Sequence, residues 1–317
     1  MTPAVSIVIP VKDGGEDLVR CLGAIRAQAL EHEPEVVVVD SGSTDGSVAT
    51  AREYGARVLE ILPEEFDHGA TRNLAAEAAR GEVLVFVSQD AEPVGDGWLA
   101  ALTAPLADDR VAGVYGRQVA RPDAVPPEAF FLDFVYGPEP RVQELITGRA
   151  PSIETTLFSN VNSAIRRSAW EAFPFANDLI MSEDQDWSRR AMEAGWRIVY
   201  EPRAVVRHSH VYSIESAFRR FFDSGVSSER AYLAGEAAAS RVLRRAAAAY
   251  LRAEIGWLVR AGRAHWIPYA LVYETSKLAG LMLGTRHRRL PLGLKRRLSA
   301  MPSYWNRAGG GRPRSEG

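Results

Sequence analysis

Three polar runs in the N-terminal third hold side chains suited to ligand chemistry: Pro10-Val11-Lys12-Asp13, Asp40-Ser41-Gly42-Ser43-Thr44-Asp45-Gly46 and Ser88-Gln89-Asp90-Ala91-Glu92-Pro93. Acidic residues in such positions suit a ribose, a base edge or a divalent cation. Asp40 and Asp90 lead the candidates because each stands where an apolar run stops, Val36–Val39 in one case and Val83–Val87 in the other. Ser43 and Asp45 are more simply read as helix caps. The chain has no Gly-x-Gly-x-x-Gly after its first apolar run and no Gly-Lys-Ser/Thr phosphate loop. That disfavours a dinucleotide-binding dehydrogenase or a P-loop kinase. Diphosphate charge would then have to be met by a metal ion or by Arg and Lys side chains.

Three further segments carry chemistry-bearing residues. Arg72 and Asn73 follow the Phe66–Ala70 loop at the start of a helix predicted over Thr71–Arg80. A helix N-terminus attracts phosphate, and an arginine there can pair with it. His68 either contacts phosphate or sugar or is a loop histidine bonded to backbone. Ser182-Glu183-Asp184-Gln185-Asp186-Trp187 opens another predicted helix, where Ser182, Glu183 and Asp184 fit capping and the positive helix end. His208 and His210 are spaced to face one side of a strand. His208 is either a ligand or a core histidine held by hydrogen bonds, and the case for His210 is weaker.

The elements needed to bring these residues together are legible. Val5–Pro10, Val36–Asp40, Arg57–Glu60 and Val83–Val87 read as strands, separated by helices over Glu16–Leu30, Ser43–Tyr54 and Thr71–Arg80. Continuously apolar strands joined by helical crossovers predict an α/β, doubly wound, largely parallel sheet. In such a sheet, ligands bind beyond the carboxyl ends of the strands, which is where the three polar runs lie. Further on, Trp98–Leu106 reads as helix, Val111–Tyr115 as strand, Asn160–Ile165 as strand, Arg167–Ala172 as short helix, Glu183–Ala194 as helix closed by Gly195, and Arg197–Tyr200 as strand. Arg121–Arg149 resists assignment and is read as a mobile acceptor loop. From Ser213 the pattern is mainly helical, and no internal repeat is visible.

Val5–Pro10, Val36–Gly46, the strand end at Asp90 and the later Glu183-Asp184 resemble family 2 glycosyltransferases of the GT-A fold, over roughly residues 4–225. Phe66-Asp67-His68-Gly69-Ala70-Thr71-Arg72-Asn73 and Ser88-Gln89-Asp90-Ala91 are similar, more narrowly, to the bacterial rhamnosyltransferase branch. The resemblance implies a Rossmann-like, mostly parallel sheet flanked by helices, with a C-terminal helical extension. It implies a nucleoside-diphosphate sugar donor and inverting transfer to a hydroxyl. Asp40 matches the acidic residue that contacts the nucleoside, Pro10 and Lys12 lie where the family lines the base pocket, and Gln89 joins the donor-binding set. Arg72 falls near the diphosphate, with His68 and Asn73 beside it. Asp90 matches the last, metal-binding position of an Asp-x-Asp motif whose first position here is Ser88. The implied cofactor is Mg²⁺ or Mn²⁺, held by Asp90 and His208, with Glu92 as a candidate third ligand. The Glu-Asp pair matches the catalytic base, with Asp184 as base and Glu183 as second choice or acceptor-binding group. Tyr212 and Ser213 also resemble the family's pattern, without an assigned role.

The chain has 317 residues, with 46% hydrophobic and 25% charged. These proportions exclude a wholly disordered, collagen-like or multi-span membrane protein. A single cysteine, Cys21, excludes an internal disulfide framework and a cysteine-based zinc site, and a cytoplasmic location is expected. No basic segment followed by an apolar run opens the sequence, so no secretory signal is expected. The overall charge of -2 hides a division: residues 241–317 carry 16 Lys and Arg against 3 Asp and Glu, and the preceding 240 carry 22 against 37. Arg241, Arg244, Arg245, Arg252, Arg260 and Arg263 are interspersed with apolar and aromatic residues, and Arg286–Arg289 and Lys295–Arg297 add basic clusters. This suits peripheral binding to an anionic membrane at the inner face, or else helices packed on the catalytic domain or on another copy. No nucleic-acid-reading motif accompanies the basic residues. The expected divisions are a transferase domain over 1–235, a basic helical extension over 236–308 and a disordered tail over 309–317. The expected activity is transfer of L-rhamnose from dTDP-rhamnose to a cell-envelope glycan or polyprenyl-linked acceptor. The alternatives are another hexosyl or N-acetylhexosaminyl transfer from a UDP- or GDP-sugar, or a non-catalytic binding module.

Overall fold

The computed structural model describes residues 4–29, 32–145, 152, 154–231 and 236–308, of which 229, 236–244, 307 and 308 are described by backbone alone. The segment 309–317, expected to be disordered, lies outside the described residues, as does the end of the expected acceptor loop. Two compact units divide the chain: Met1–Asp178 with Glu183–His210, and Leu179–Ser182 with Val211–Gly317.

The first unit is built on a sheet of nine strands: β1 (Val5–Val11), β2 (Glu35–Asp40), β3 (Arg57–Glu60), β4 (Val83–Val87), β5 (Glu92–Pro93), β6 (Val111–Val119), β7 (Arg141–Gln143), β8 (Asn162–Arg166) and β9 (Arg197–Arg207). Their order is β3-β2-β1-β4-β8-β6-β9-β5, and β7 also pairs with β9. Strands β3, β2, β1 and β4 run parallel, β8 lies antiparallel between β4 and β6, and β9 is parallel to β6. The helices are α1 (Gly15–Arg26), α2 (Ser47–Glu53), α3 (His68–Ala78), α4 (Trp98–Thr103), α5 (Pro126–Val135), α6 (Arg167–Ala172) and α7 (Glu183–Glu193).

Strand periodicity divides the core between two faces. Ile7, Ile9 and Val11 pack with Leu18, Leu22 and Ile25 of α1 and with Trp98 and Leu102 of α4. Val8, between them, faces the other way with Leu84, Phe86, Ala75 and Ala76 of α3 and Trp187 of α7. Both faces are therefore covered, which is why these strands are apolar without alternation. The segment expected to be an irregular acceptor loop contains α5 and β7. Pro126 and Pro127 occupy the first turn of α5, where the missing amide hydrogens cost nothing. Strand β9 continues well past Tyr200, with a register shift against β6 between Gly116 and Arg117.

The second unit is helical: α8 (Ile214–Ala231), α9 (Glu236–Arg260), α10 (Ile267–Gly284), α11 (Leu292–Leu298) and α12 (Pro302–Ala308). α8 and α10 pack closely through Gly225, Gly280 and Gly284, where an added Cβ would lie 2.3, 2.3 and 2.1 Å from backbone oxygens of the opposite helix. Among the described residues, no helix is long and apolar enough to cross a membrane.

Candidate active site

The loops after β1 and β2 lock together through their own hydrogen bonds. Asp13 adopts φ of 44°, a left-handed conformation that Asp tolerates better than most residues. Its carboxylate accepts from the Thr44 amide at 2.7 Å, and its own amide donates to Ser43 Oγ at 2.8 Å. The Gly14 and Gly15 amides donate to Ser47 Oγ and Asp45 Oδ2, both at 2.8 Å. Ser43 and Asp45 thus brace the rim between two loops, and α2 begins later than expected, at Ser47. Asp40 ends β2 opposite Val11. One of its carboxylate oxygens accepts from the Gly42 and Ser43 amides at 2.9 Å, and the other is buried without a hydrogen-bond partner. A buried acceptor left open is costly, which suits this rim for a ligand that brings an N–H or O–H group.

Beside it, Pro10, Val11, Lys12, Phe66, His68, Arg72, Ser88, Gln89 and Asp90 line an open cleft of about 160 Å³. Six of the residues expected to bind a donor or metal therefore share one cavity. Gln89 also clamps two strand ends together. Its amide oxygen accepts from the Lys12 amide at 2.8 Å, and its nitrogen donates to the Lys12 carbonyl at 3.0 Å. This pair fixes the end of β4 against the end of β1. The Lys12 ammonium donates to the Gly42 carbonyl.

Helix α3 begins at His68, not at Thr71, because Asp67 caps it by accepting from the Gly69 and Ala70 amides at 3.0 Å. Only glycine fits at 69, where a Cβ would lie 2.0 Å from the Ala176 carbonyl oxygen. Arg72 is therefore one turn inside the helix rather than at its start. It donates to the His68 carbonyl at 3.0 Å and pairs with Glu183 at 3.1 Å. Asn73 is not among the lining residues. Its amide is spent on Phe175 and Trp170: the oxygen accepts from the Phe175 amide and Trp170 Nε1 at 3.0 Å, and the nitrogen donates to the Phe175 carbonyl at 2.8 Å. Asn73 ties α3 to the segment after α6.

At the start of α7, Glu183 is buried and Asp184 half-buried. The Asn160 amide donates to Asp184 Oδ2 at 3.1 Å, and the Gln185 amide to Oδ1 at 2.8 Å. Burial works against charge on Glu183, but Arg72 and His68 outweigh it, and this carboxyl lies below its ordinary range. Asp184 goes the other way: burial and then the neighbouring Glu183 push its carboxyl up to about 7. Two adjacent carboxyls thus have opposite tendencies, the arrangement expected of a charged anchor beside a proton acceptor.

The third feature lies at the end of β9. His208 Nε2 and His210 Nδ1 approach Asp90 Oδ2 at 3.5 and 3.6 Å, with the two rings edge to face at 4.5 Å. One ligand atom from each of Asp90, His208 and His210 lies within 4.8 Å of the others. A carboxylate and two imidazoles form a coherent donor set for a divalent transition metal such as Mn²⁺. Burial would raise the Asp90 pKa, but the two histidines more than reverse this and hold the carboxylate ionised. Glu92, the candidate third ligand, is not part of the cluster. It stands on β5 opposite Arg207 and is engaged by that guanidinium at 3.3 Å. His210 takes the third place, a residue the sequence marked only by its spacing from His208. Two supporting residues had no sequence signal. Arg121 donates to the Asp90 carbonyl at 2.7 Å while pairing with Asp17 at 2.8 Å, and Gln118 contacts His208 Nδ1 at 3.0 Å.

Residues 6–173 match the family described as Glycosyl transferase family 2. The chain belongs to that family. Within the family, it is 34% identical over 280 residues to the O-antigen chain rhamnosyltransferase WbaN of Salmonella anatum, covering 86% of each chain. It is 31% identical over 311 residues to the O-antigen chain rhamnosyltransferase RfbN of Salmonella typhimurium strain LT2, covering 95% of this chain and 96% of that one. Among solved structures, the mannosyltransferase PcManGT from Pyrobaculum calidifontis, in complex with GDP-Man and Mn²⁺, aligns over 98% of this chain and 86% of its own. Its TM-score is 0.54 at 19% identity, a likeness of fold. This family 2 glycosyltransferase has the GT-A architecture: a mixed α/β sheet flanked by helices, followed by a helical C-terminal region.

Proposed function

We propose that this chain is an inverting, cation-dependent rhamnosyltransferase that moves L-rhamnose from dTDP-rhamnose to a hydroxyl of a cell-envelope glycan or lipid-linked acceptor. The observation that carries the reading is the cleft from Pro10 to Asp90, linked through Arg72 to the Glu183-Asp184 pair. The rhamnosyl part rests on 34% and 31% identity to two O-antigen chain rhamnosyltransferases.

In this reading the open oxygen of Asp40 accepts a hydrogen bond from the nucleoside, while Pro10 and Lys12 border the base. Arg72 and His68 face the diphosphate. Asp90, His208 and His210 hold a divalent cation, Mn²⁺ in preference to Mg²⁺ because two of the three donors are imidazoles. When bound, the cation offsets charge developing on the departing nucleoside diphosphate. The acceptor hydroxyl is a poor nucleophile until its proton is removed. Asp184, with a carboxyl that titrates near neutrality, takes that proton as the new bond forms at the anomeric carbon. Glu183, held by Arg72, stays charged and orients the acceptor or the base. A single displacement with no enzyme nucleophile inverts the anomeric centre.

The second unit fits an acceptor delivered at an anionic membrane face. Leu292 and Leu294 of α11 are exposed beside Lys295, Arg296 and Arg297. Nearby, Ile214, Phe218, Leu294 and Leu298 line a groove with Arg297 and with Arg219, which is paired with Glu215. Apolar side chains next to basic ones suit the lipid headgroup region.

The deciding experiment is a panel of nucleotide sugars scored by released nucleoside diphosphate, with an envelope-lipid extract as acceptor. Turnover of dTDP-rhamnose above UDP- and GDP-sugars is expected. Turnover of one of those sugars instead assigns another hexosyl or N-acetylhexosaminyl transfer, and binding without turnover of any donor assigns a non-catalytic module.

A further inference from the structure

Gln118 lies on β6 beside Arg117 and is buried at 4% exposure. Such a group is costly to bury unless its hydrogen bonds are made, and here both ends are used. The amide oxygen meets His208 Nδ1 at 3.0 Å. The amide nitrogen donates to the Tyr136 hydroxyl at 2.7 Å and to Ser159 Oγ at 3.0 Å. An amide oxygen can only accept, so Nδ1 of His208 carries the proton. When His208 is neutral, as a cation ligand must be, this leaves the lone pair on Nε2, the atom 3.5 Å from Asp90, available to the cation cluster.

The other side of Gln118 leads to Asp184. Ser159 is followed by Asn160, whose backbone amide donates to Asp184 Oδ2 at 3.1 Å and whose side chain reaches Glu183 Oε1 at 3.4 Å. Asn160 is itself held by the Ser163 hydroxyl, which donates to its Oδ1 at 3.0 Å. Tyr136, at the end of α5, lies within the electrostatic reach of Asp184. The groups between the cation cluster and Asp184 thus form one chain of contacts: His208, Gln118, Ser159, Asn160, Asp184.

We propose that Gln118 is a positioning residue that joins the cation cluster to the Asp184 carboxylate through His208 on one side and the Ser159–Asn160 segment on the other. The inference rests on the cation-dependent reading above. Fixing His208 in a cation complex fixes the Gln118 amide, and the amide then holds the segment whose N–H orients Asp184. The two halves of the site are tuned together although they come from distant parts of the chain.

The test measures Mn²⁺ binding to the full chain without donor, by paramagnetic resonance of free Mn²⁺, alongside the pH profile of kcat. The parent protein binds Mn²⁺ and Asp90→Ala does not. Gln118→Met, of similar shape but unable to accept from Nδ1, weakens Mn²⁺ binding about 10–100-fold, the range seen when a ligand's hydrogen-bond partner is removed. Gln118→Glu retains the parent affinity, because a carboxylate still accepts from Nδ1. Ser159→Ala also keeps Mn²⁺ affinity but loosens Asn160, whose amide favours the charged form of Asp184 beside Glu183 and Arg72. The acid limb of the kcat profile then moves to higher pH. Failure of the parent to bind Mn²⁺ rejects the cation reading together with this proposal. Parent binding with an unchanged Gln118→Met, or equal loss in both Gln118 variants, rejects the positioning role alone. An unmoved acid limb in Ser159→Ala rejects the link to Asp184. Should Gln118→Met not fold, Gln118→Leu takes its place in the same comparison, loss of Mn²⁺ binding in Gln118→Glu by itself rejects the positioning role, and Ser159→Ala decides the link to Asp184.

Discussion

Arg72 and Glu183 form a buried ion pair at 3.1 Å between the cleft wall and the first residue of α7. More than a hundred positions apart in the sequence, they bring the base candidate at Asp184 within one side chain of the cleft. Arg72 is also a wall of the cavity that holds Asp90, so it is one physical connection between the two carboxylates on which the proposed chemistry depends, on the cleft side of the site.

Removing Arg72 leaves Glu183 buried without its partner. Arg72→Ala is expected to destabilise the protein by about 3–5 kcal/mol at pH 7, measured by urea unfolding. Glu183 has a depressed pKa, so the pair's contribution is present above the ordinary Glu value and is lost as pH falls through the lower folded value. The gap between parent and variant should therefore narrow below about pH 4. A gap that is constant with pH would show that Glu183 is not the group left unpaired.

Asp184→Asn should lower kcat by about 10²–10⁴-fold with donor affinity unchanged, because its partners are the Asn160 and Gln185 amides rather than the cleft. The raised pKa gives the pH dependence its sign. A proton acceptor must be ionised, so parent turnover should climb as pH rises through about 7. Normal turnover by Asp184→Asn, or a profile flat across that value, excludes Asp184 as the base.

The cation cluster separates two residues that differ little as sequence. His210→Ala should weaken Mn²⁺ binding in calorimetry, while Glu92→Gln should leave it intact because Glu92 is engaged by Arg207. The opposite pattern would restore Glu92 as a ligand and remove His210.

In the second unit, Glu254 is fully buried, with neither carboxylate oxygen hydrogen-bonded. Burial and then Glu274 push its carboxyl up to about 7, against the opposing pull of Lys277. The folded protein therefore holds this proton where the unfolded chain has lost it, and stability falls as pH rises from the ordinary Glu value through about 7. Glu254→Gln is expected to be more stable than the parent by about 1–3 kcal/mol at about pH 8 and to lose that advantage by about pH 5, read by thermal unfolding at both. A variant that is less stable at the higher pH would mean the charge is wanted there.

Membrane binding can be read with vesicles. The full chain should float with vesicles containing phosphatidylglycerol and not with neutral ones, with the signal weakened by salt. Reversing the exposed Arg296 and Arg297 to Glu should abolish flotation without changing the melting temperature, whereas Lys295 is left in place because its ammonium packs over the Trp305 ring. Absence of binding at every salt concentration would assign these helices to packing instead.

The sequence by itself determined the α/β sheet, the family and the rim where ligands bind. Continuously apolar runs such as Val36–Val39 and Val83–Val87 suit burial on both faces of a parallel sheet, and that topology places the residues after each strand together. Periodicity and turn residues report on the local chain, and these features are local. The boundaries that shifted did so for local reasons too: Asp67 caps α3 earlier than the apolar pattern suggests, and paired prolines start α5 in a stretch without a clear period.

Only the tertiary structure decided which polar residues share a site. Asn73 was as eligible as Arg72 until its amide met Phe175 and Trp170, and Glu92 as eligible as His210 until Arg207 engaged it. Gln118 carried no signal beyond being polar within a strand, and its meaning comes from His208, 90 positions away. A side chain has few hydrogen bonds to give, and partners distant in the chain determine whether those bonds hold the fold or remain open to a ligand.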